Sequence, residues 1–65
     1  MRLTVNGKPA ELDAAVLGDV LRHYELQGKL VVAEVDGMIV DKSVWEDTPL
    51  SEGMRIELVH FVGGG

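Results

Sequence analysis

Apolar and polar residues alternate near both ends of the chain, a pattern that predicts strands with one buried face. The first alternating segment, residues 1–5, is followed directly by Asn6 and Gly7. Both residues tolerate positive backbone φ angles, so the pair predicts a tight hairpin turn. The return strand is expected over residues 8–12. Because Pro9 has no backbone N–H to donate, we place this strand at an edge of the sheet.

The pattern changes to a helical period in the next segment, where four residues recur at i, i+3, i+4 and i+7 and therefore share one face. We expect Asp13 to cap the N-terminus of this helix and Gly28 to end it. Gly18 lies inside the helix, where glycine costs about 1 kcal/mol relative to alanine. Close packing of the helix against the sheet would explain that glycine. The four residues on the shared face are Leu17, Val20, Leu21 and Tyr24.

Three further strands are predicted after the helix. Residues 30–35 are the most β-prone stretch, residues 38–40 form a short strand, and residues 54–62 alternate again. In the last strand, Ile56 and Leu58 are expected to face the helix. The inward residues of the third strand are then Val31, Ala33 and Val35.

The resulting order is β-β-α-β-β-β, in which a single helix can cover only one face of the sheet. This order predicts an α+β fold, a β-grasp with a mixed sheet of four to five strands and the first and last strands parallel at its centre. We assign residues 1–62 to one domain and residues 63–65 to a flexible glycine tail.

Composition and charge exclude several classes of function. The chain has 65 residues, no cysteine and a formal net charge of −5. Without a basic face we expect neither nucleic-acid nor membrane binding, and with no signal-peptide pattern we expect a cytoplasmic location. The only two histidines, His23 and His60, have no zinc-like spacing, so we expect no metal site. His60 is expected to be a partly buried residue of the sheet.

The most informative feature is the run of Gly63, Gly64 and Gly65 at the end of the sequence. At an average glycine frequency of about 7%, such a run arises by chance in about one chain in 3,000. Residues without Cβ atoms can thread a narrow channel and deliver a terminal carboxylate into a buried site of another protein. A carboxylate is a poor electrophile, so another protein must activate it. The tail therefore indicates a carrier that is chemically loaded at its C-terminus.

A second candidate feature is an apolar group on the sheet face that the helix leaves uncovered. If Glu34 is solvated, Val32 shares its face, and alternation sends Val59 and Phe61 to the same face. These residues lie just before the tail. We therefore predict that Val32, Val59 and Phe61 form a docking surface for partner proteins.

The sequence as a whole resembles the ThiS family, the sulfur carriers of thiamine biosynthesis. The resemblance covers essentially the whole chain. It rests on the opening strand with Asn6 and Gly7, on residues 17–21 (LGDVL) and 32–37 (VAEVDG), and on Trp45. It also rests on the ending ELVHFVGGG at residues 57–65.

This resemblance implies a ubiquitin-like fold and a reaction cycle. A ThiF-type activating enzyme uses ATP to adenylate the Gly65 carboxylate. A persulfide charged by a cysteine desulfurase converts it to a thiocarboxylate, and thiazole synthase takes the sulfur. The carrier is then a co-substrate rather than an enzyme, binds no cofactor itself, and is expected to be a monomer when free. Gly64 is the other residue of the family's di-glycine end, and Gly63 lengthens the reach of the tail.

Three other functions remain open from the sequence. One is the small subunit of molybdopterin synthase, whose chains usually run longer. Another is a ubiquitin-like interaction module that never loads its tail. The third is a carrier that supplies sulfur to a different product, such as a modified tRNA base or an amino acid.

Overall fold

The protein forms a five-stranded mixed sheet with one α-helix on one face, as seen in a computed structural model that describes residues 1–62. The strand order is β2-β1-β5-β3-β4, so β5 lies at the centre of the sheet. It pairs parallel with β1 and antiparallel with β3. This is the predicted β-grasp topology. The elements are β1 (Arg2–Val5), β2 (Lys8–Glu11), α1 (Leu17–His23), β3 (Val31–Val35), β4 (Met38–Val40), a 3₁₀ helix (Lys42–Asp47) and β5 (Arg55–His60).

A single hydrophobic core lies between the sheet and α1. The register pairs Ala33 directly with Leu58 and Val35 with Ile56, which confirms the inward face predicted for β3 and β5. Apolar burial of this kind contributes about 25 cal/mol per Å² and is the main source of stability in a chain this small. The buried residues are Leu3, Val5, Leu12, Leu17, Val20, Leu21, Ala33, Trp45, Leu50, Ile56 and Leu58.

The N-terminus of α1 is capped from within the helix, so the expectation for Asp13 is wrong. Val16 occupies the N-cap position, and its N–H donates to Asp19 Oδ2 at 3.1 Å. The N–H of Ala15 donates to the same oxygen at 2.8 Å. A carboxylate in the first turn satisfies free N–H groups and also complements the helix dipole.

The C-terminus of α1 ends earlier than Gly28, at a Schellman motif that contains no glycine. Glu25 takes the left-handed conformation, with φ 57°. The N–H of Glu25 donates to Arg22 O at 3.0 Å and that of Leu26 donates to Leu21 O at 2.8 Å. Leu26 then packs against the core, and this apolar contact accompanies the motif. Tyr24 is the C-cap and is 40% exposed, so it does not join the buried face.

Gly18 is buried because the 3₁₀ helix, rather than the sheet, approaches it closely. A Cβ atom at this position would overlap the carboxylate of Glu46. That carboxylate accepts two hydrogen bonds from Arg22, at 2.7 and 2.9 Å. Arg22 also donates to Asp19 Oδ1 at 2.6 Å. The glycine thus leaves room for an ion-pair cluster that joins the two helices.

Candidate functional site

An apolar patch lies on the sheet face opposite α1. Val32 and Val59 are direct cross-strand neighbours on β3 and β5 and are 36% and 49% exposed. Phe61 follows β5 and is 49% exposed. Its N–H donates to Leu30 O at 2.9 Å, which continues the β3–β5 ladder beyond the end of β5. The alternation of the strand places Phe61 on the same face as Val59. We call Val32, Val59 and Phe61 the outer patch.

Two further exposed apolar residues belong to the surroundings of this patch and were missed by sequence reasoning. Leu30 is the hydrogen-bonding neighbour of Phe61 and is 71% exposed. Ile39 lies opposite Glu34 on β4, on the same face of the sheet, and is 72% exposed. Alternation along the third strand places Leu30 on the face of Val32, whereas the position of Ile39 depends on the register between strands.

Acidic side chains continue the same face beside the outer patch. Glu34 of β3 lies directly opposite Glu57 of β5. None of the four ion pairs found within residues 1–62 includes either glutamate. Like charges directly opposite each other in a sheet are destabilising. The arrangement therefore favours an approaching positive charge.

A groove of about 570 Å³ opens on the other face, between α1, the β1–β2 hairpin and the end of β5. His60 lines it together with Leu58 of β5 and Tyr24 and Leu26 from the end of the helix. His60 is exposed, so the expectation of a partly buried histidine is wrong. The reason is that β1 and β2 stop short of His60 and leave its side chain uncovered.

Residues 1–62 contain neither a metal-binding cluster nor a membrane-spanning helix. No group of three or more histidine, cysteine, aspartate or glutamate side chains is arranged to hold a metal ion in this part of the chain. The single α-helix in the same region is too short to cross a bilayer.

The tail residues Gly63, Gly64 and Gly65, predicted to be the reactive end, lie outside the described residues. Val62 is the last described residue and is 82% exposed. Val62 directly follows Phe61 of the outer patch. The last described residues therefore lead from that patch towards the tail.

Comparison with known proteins gives consistent matches in sequence and structure. The model of the ThiS family matches residues 3–65. The sulfur carrier protein ThiS of Bacillus subtilis (strain 168) is 37% identical over 65 residues, covering 97% of this chain and 98% of that protein. An uncharacterized protein, ycf40, of Trieres chinensis is 37% identical over 49 residues, covering 75% of this chain and 67% of that protein.

Two solved structures of a thiamine biosynthesis protein (ThiS) from Geobacter metallireducens share the fold. The crystal structure is 32% identical, has a TM-score of 0.81 and covers 100% of both chains. The solution structure has the same identity and TM-score, covering all of this chain and 88% of that one.

Proposed function

This chain belongs to the ThiS family, and from that membership we propose that it carries sulfur on its C-terminal carboxylate, at Gly65, for thiazole formation in thiamine biosynthesis. The observation that carries the proposal is the match of the family model through Gly65, over a fold that is shared along its whole length. The glycine run supplies a reacting group that needs no side chain. The chain therefore acts as a co-substrate of other enzymes rather than as a catalyst.

The proposed chemistry begins with activation of the Gly65 carboxylate. One of its oxygens attacks the α-phosphorus of ATP on a ThiF-type enzyme, forming an acyl-adenylate and releasing pyrophosphate. The terminal sulfur of a persulfide, charged by a cysteine desulfurase, then attacks the acyl carbon and expels AMP. A second thiol attacks the adjoining sulfur and leaves as a disulfide, which releases the thiocarboxylate. Thiazole synthase is the proposed acceptor of that sulfur.

The outer patch is the proposed docking surface for these partners. Val32, Val59 and Phe61 expose apolar area on a sheet face that no other element of residues 1–62 covers, where burial against a partner is favourable. Gly65 lies four positions after Phe61 in the sequence. At about 3.3–3.6 Å per extended residue, a docked patch delivers the carboxylate no farther than roughly 14 Å away. The patch therefore sets where the reacting group is presented.

The glutamates beside the patch supply charge complementarity. Glu34 and Glu57 face each other, and a basic residue of the partner would relieve their repulsion. Charges at the rim of an interface accelerate encounter more than they tighten binding. We therefore propose that the activating enzyme and the acceptor present a basic rim around an apolar centre.

The proposal is tested by incubating the full chain with ATP, the activating enzyme, cysteine, the desulfurase and a thiol. Intact-mass measurement then reports exchange of one oxygen for sulfur. An unchanged mass, with the activating enzyme competent on a known substrate, would instead identify an interaction module that is not loaded. The loaded chain is then supplied separately to thiazole synthase and to a molybdopterin-forming acceptor. The acceptor that takes up the sulfur shows which product the carrier serves.

A further inference from the structure

The second half of β5 is an open sheet edge on its hairpin side. Two backbone hydrogen bonds show which residues of β5 face β3. The Arg55 carbonyl accepts from the Asp36 N–H at 2.8 Å, and the Phe61 N–H donates to the Leu30 carbonyl at 2.9 Å. Alternate residues of an antiparallel strand point their backbone groups in opposite directions. Leu58 and His60 therefore direct their N–H and C=O groups away from β3, towards the hairpin.

The hairpin covers only the start of that edge. The parallel β1–β5 register ends at Val5 and Ile56. The last contacts beyond this pair come from Asn6, whose N–H donates to Ile56 O at 2.9 Å and whose Oδ1 accepts from Leu58 N–H at 2.7 Å. Outside the strand ladders, the hydrogen bonds described for residues 1–62 include none to the Leu58 carbonyl or to the His60 backbone. Among residues 1–62, a short row of backbone groups without a hydrogen-bond partner thus remains.

The groove beside this edge offers apolar surface together with a positive charge. Leu58, Tyr24 and Leu26 contribute apolar lining, and the groove holds about 570 Å³. Lys8 lines the same groove, and none of the four ion pairs among residues 1–62 includes it. The groove is therefore suited to apolar side chains that are accompanied by a carboxylate.

We propose that this edge binds an extended, acidic peptide segment of a partner protein, which adds a strand alongside Leu58 and His60. Unpaired backbone groups on a sheet edge are satisfied by another extended backbone, and alternate side chains of that strand enter the adjoining groove. Lys8 selects a segment with a carboxylate next to an apolar residue. The site lies on the helix side of the sheet, apart from the outer patch, and does not depend on the sulfur chemistry.

A second copy of this chain is a poorer occupant of the edge. Each copy carries a formal net charge of −5, which opposes self-association. Pairing two β5 edges would also bring two grooves, each with its own Lys8, to the same interface. A short acidic strand carries less negative charge than a second copy and brings no second Lys8, while Lys8 supplies a local positive charge for its carboxylates.

The test is an NMR titration of the ¹⁵N-labelled full chain with a terminally blocked hexapeptide in which valine alternates with glutamate. Bound peptide is expected to slow exchange of the His60 amide at least about tenfold at saturation. The amide of Val59, which points into the β3 ladder, serves as the internal reference. Control peptides carry either backbone N-methyl groups at alternate residues or lysine in place of glutamate, and both are expected to bind at least about fivefold more weakly.

Two variants at one position separate the backbone from the side chain. His60→Pro removes the outward N–H, which the β3 ladder does not use, and is expected to weaken peptide binding about tenfold or more. His60→Ala keeps the N–H and is expected to stay within about threefold of wild type. If His60→Pro fails to fold, the N-methylated peptide makes the same comparison on the wild-type chain.

Three results would overturn the proposal. One is unchanged exchange at His60 when the peptide is present in large excess. Another is equal binding of the N-methylated peptide, which would mean that no backbone pairing occurs. The third is protection of His60 that rises with protein concentration without peptide, which would identify a second copy of the chain as the occupant.

Discussion

Asn6 Oδ1 accepts a hydrogen bond from the backbone N–H of Leu58 at 2.7 Å and so extends the parallel ladder one step beyond β1. Asn6 has φ 50°, because the chain turns away from β5 at this residue. Its side chain replaces the backbone carbonyl that a continuing strand would have supplied. Asn6 therefore has two roles, one in the hairpin turn and one in attaching that turn to the central strand.

The two roles can be separated by substitution. Asn6→Gly keeps access to positive φ but leaves the Leu58 N–H without its acceptor, and we expect a loss of about 1–2 kcal/mol in the free energy of unfolding. Asn6→Asp keeps an acceptor oxygen and is the matched control. Urea denaturation measures the stability, and amide exchange at Leu58 reports the bond. Equal stability and equal exchange in the two variants would show that the side-chain bond contributes little.

The Asp19 carboxylate makes stability depend on pH in the acid range. Hydrogen bonds from Arg22, Ala15 and Val16 lower the pKa of Asp19 from 3.8 to about 2 in the folded protein. Since the folded pKa lies below the unfolded one, this stabilisation is present above about pH 4 and is lost as the pH falls towards about 2. We expect Asp19→Asn to flatten this part of the pH dependence in urea titrations. A wild-type slope in the variant would contradict the assignment.

Substitution of Gly18 tests the close approach of the 3₁₀ helix. In Gly18→Ala the new methyl group displaces the Glu46 carboxylate from Arg22, whose hydrogen bonds hold the pKa of Glu46 below its ordinary value. We expect that pKa to rise, as followed by NMR titration of the carboxyl carbon. The free energy of unfolding is expected to change little, because alanine's higher helix propensity, up to about 1 kcal/mol, offsets the lost contact between Glu46 and Arg22. Arg22→Gln defines the end point for a Glu46 without its partner, and an unshifted titration in Gly18→Ala would refute the displacement.

Phe61→Ala tests the docking role of the outer patch. Phe61 is half exposed and lies beyond the core, so we expect little change in melting temperature. Aromatic anchors at interfaces often contribute about 2 kcal/mol or more, which corresponds to at least about thirtyfold weaker binding to the activating enzyme and the acceptor. Calorimetry or biolayer interferometry measures this loss. Val44→Ala, which removes a similarly exposed apolar side chain from the 3₁₀ helix, is the control and is expected to bind normally.

Normal binding of both partners by Phe61→Ala would show that Phe61 is not an anchor. Equal losses in Phe61→Ala and Val44→Ala would point to a general effect on the fold. Charge reversal beside the patch, Glu57→Lys, is expected to slow association and to reduce its dependence on salt, with a smaller effect on dissociation.

The sequence predicts the architecture well wherever a single strand or turn carries the information. Alternation assigns Ala33, Ile56 and Leu58 to the core, and Pro9 marks β2 as an edge. These inferences succeed because side-chain direction along a strand has a fixed period of two. The element order, a hairpin followed by one helix and three further strands, indicates the β-grasp arrangement found in residues 1–62.

The sequence pattern could not predict features that depend on tertiary contacts. The end of α1 is set by burial of Leu26 against the core rather than by a glycine. Glu34 and Glu57 become neighbours only through the register of β3 and β5. The open edge at His60 arises because the hairpin is shorter than the central strand. None of these relationships has a local signature in the chain.

The central claim is that the Gly65 carboxylate is the group that carries sulfur, and its most direct test is the intact mass of the full chain after complete reaction with ATP, activating enzyme and sulfur donor. We expect replacement of one oxygen by sulfur, located at Gly65 by fragmentation. A chain that lacks Gly64 and Gly65 is expected to keep its amide spectrum but to form no adenylate. Sulfur gained elsewhere in the chain, or normal adenylate formation by the truncated chain, would contradict the claim.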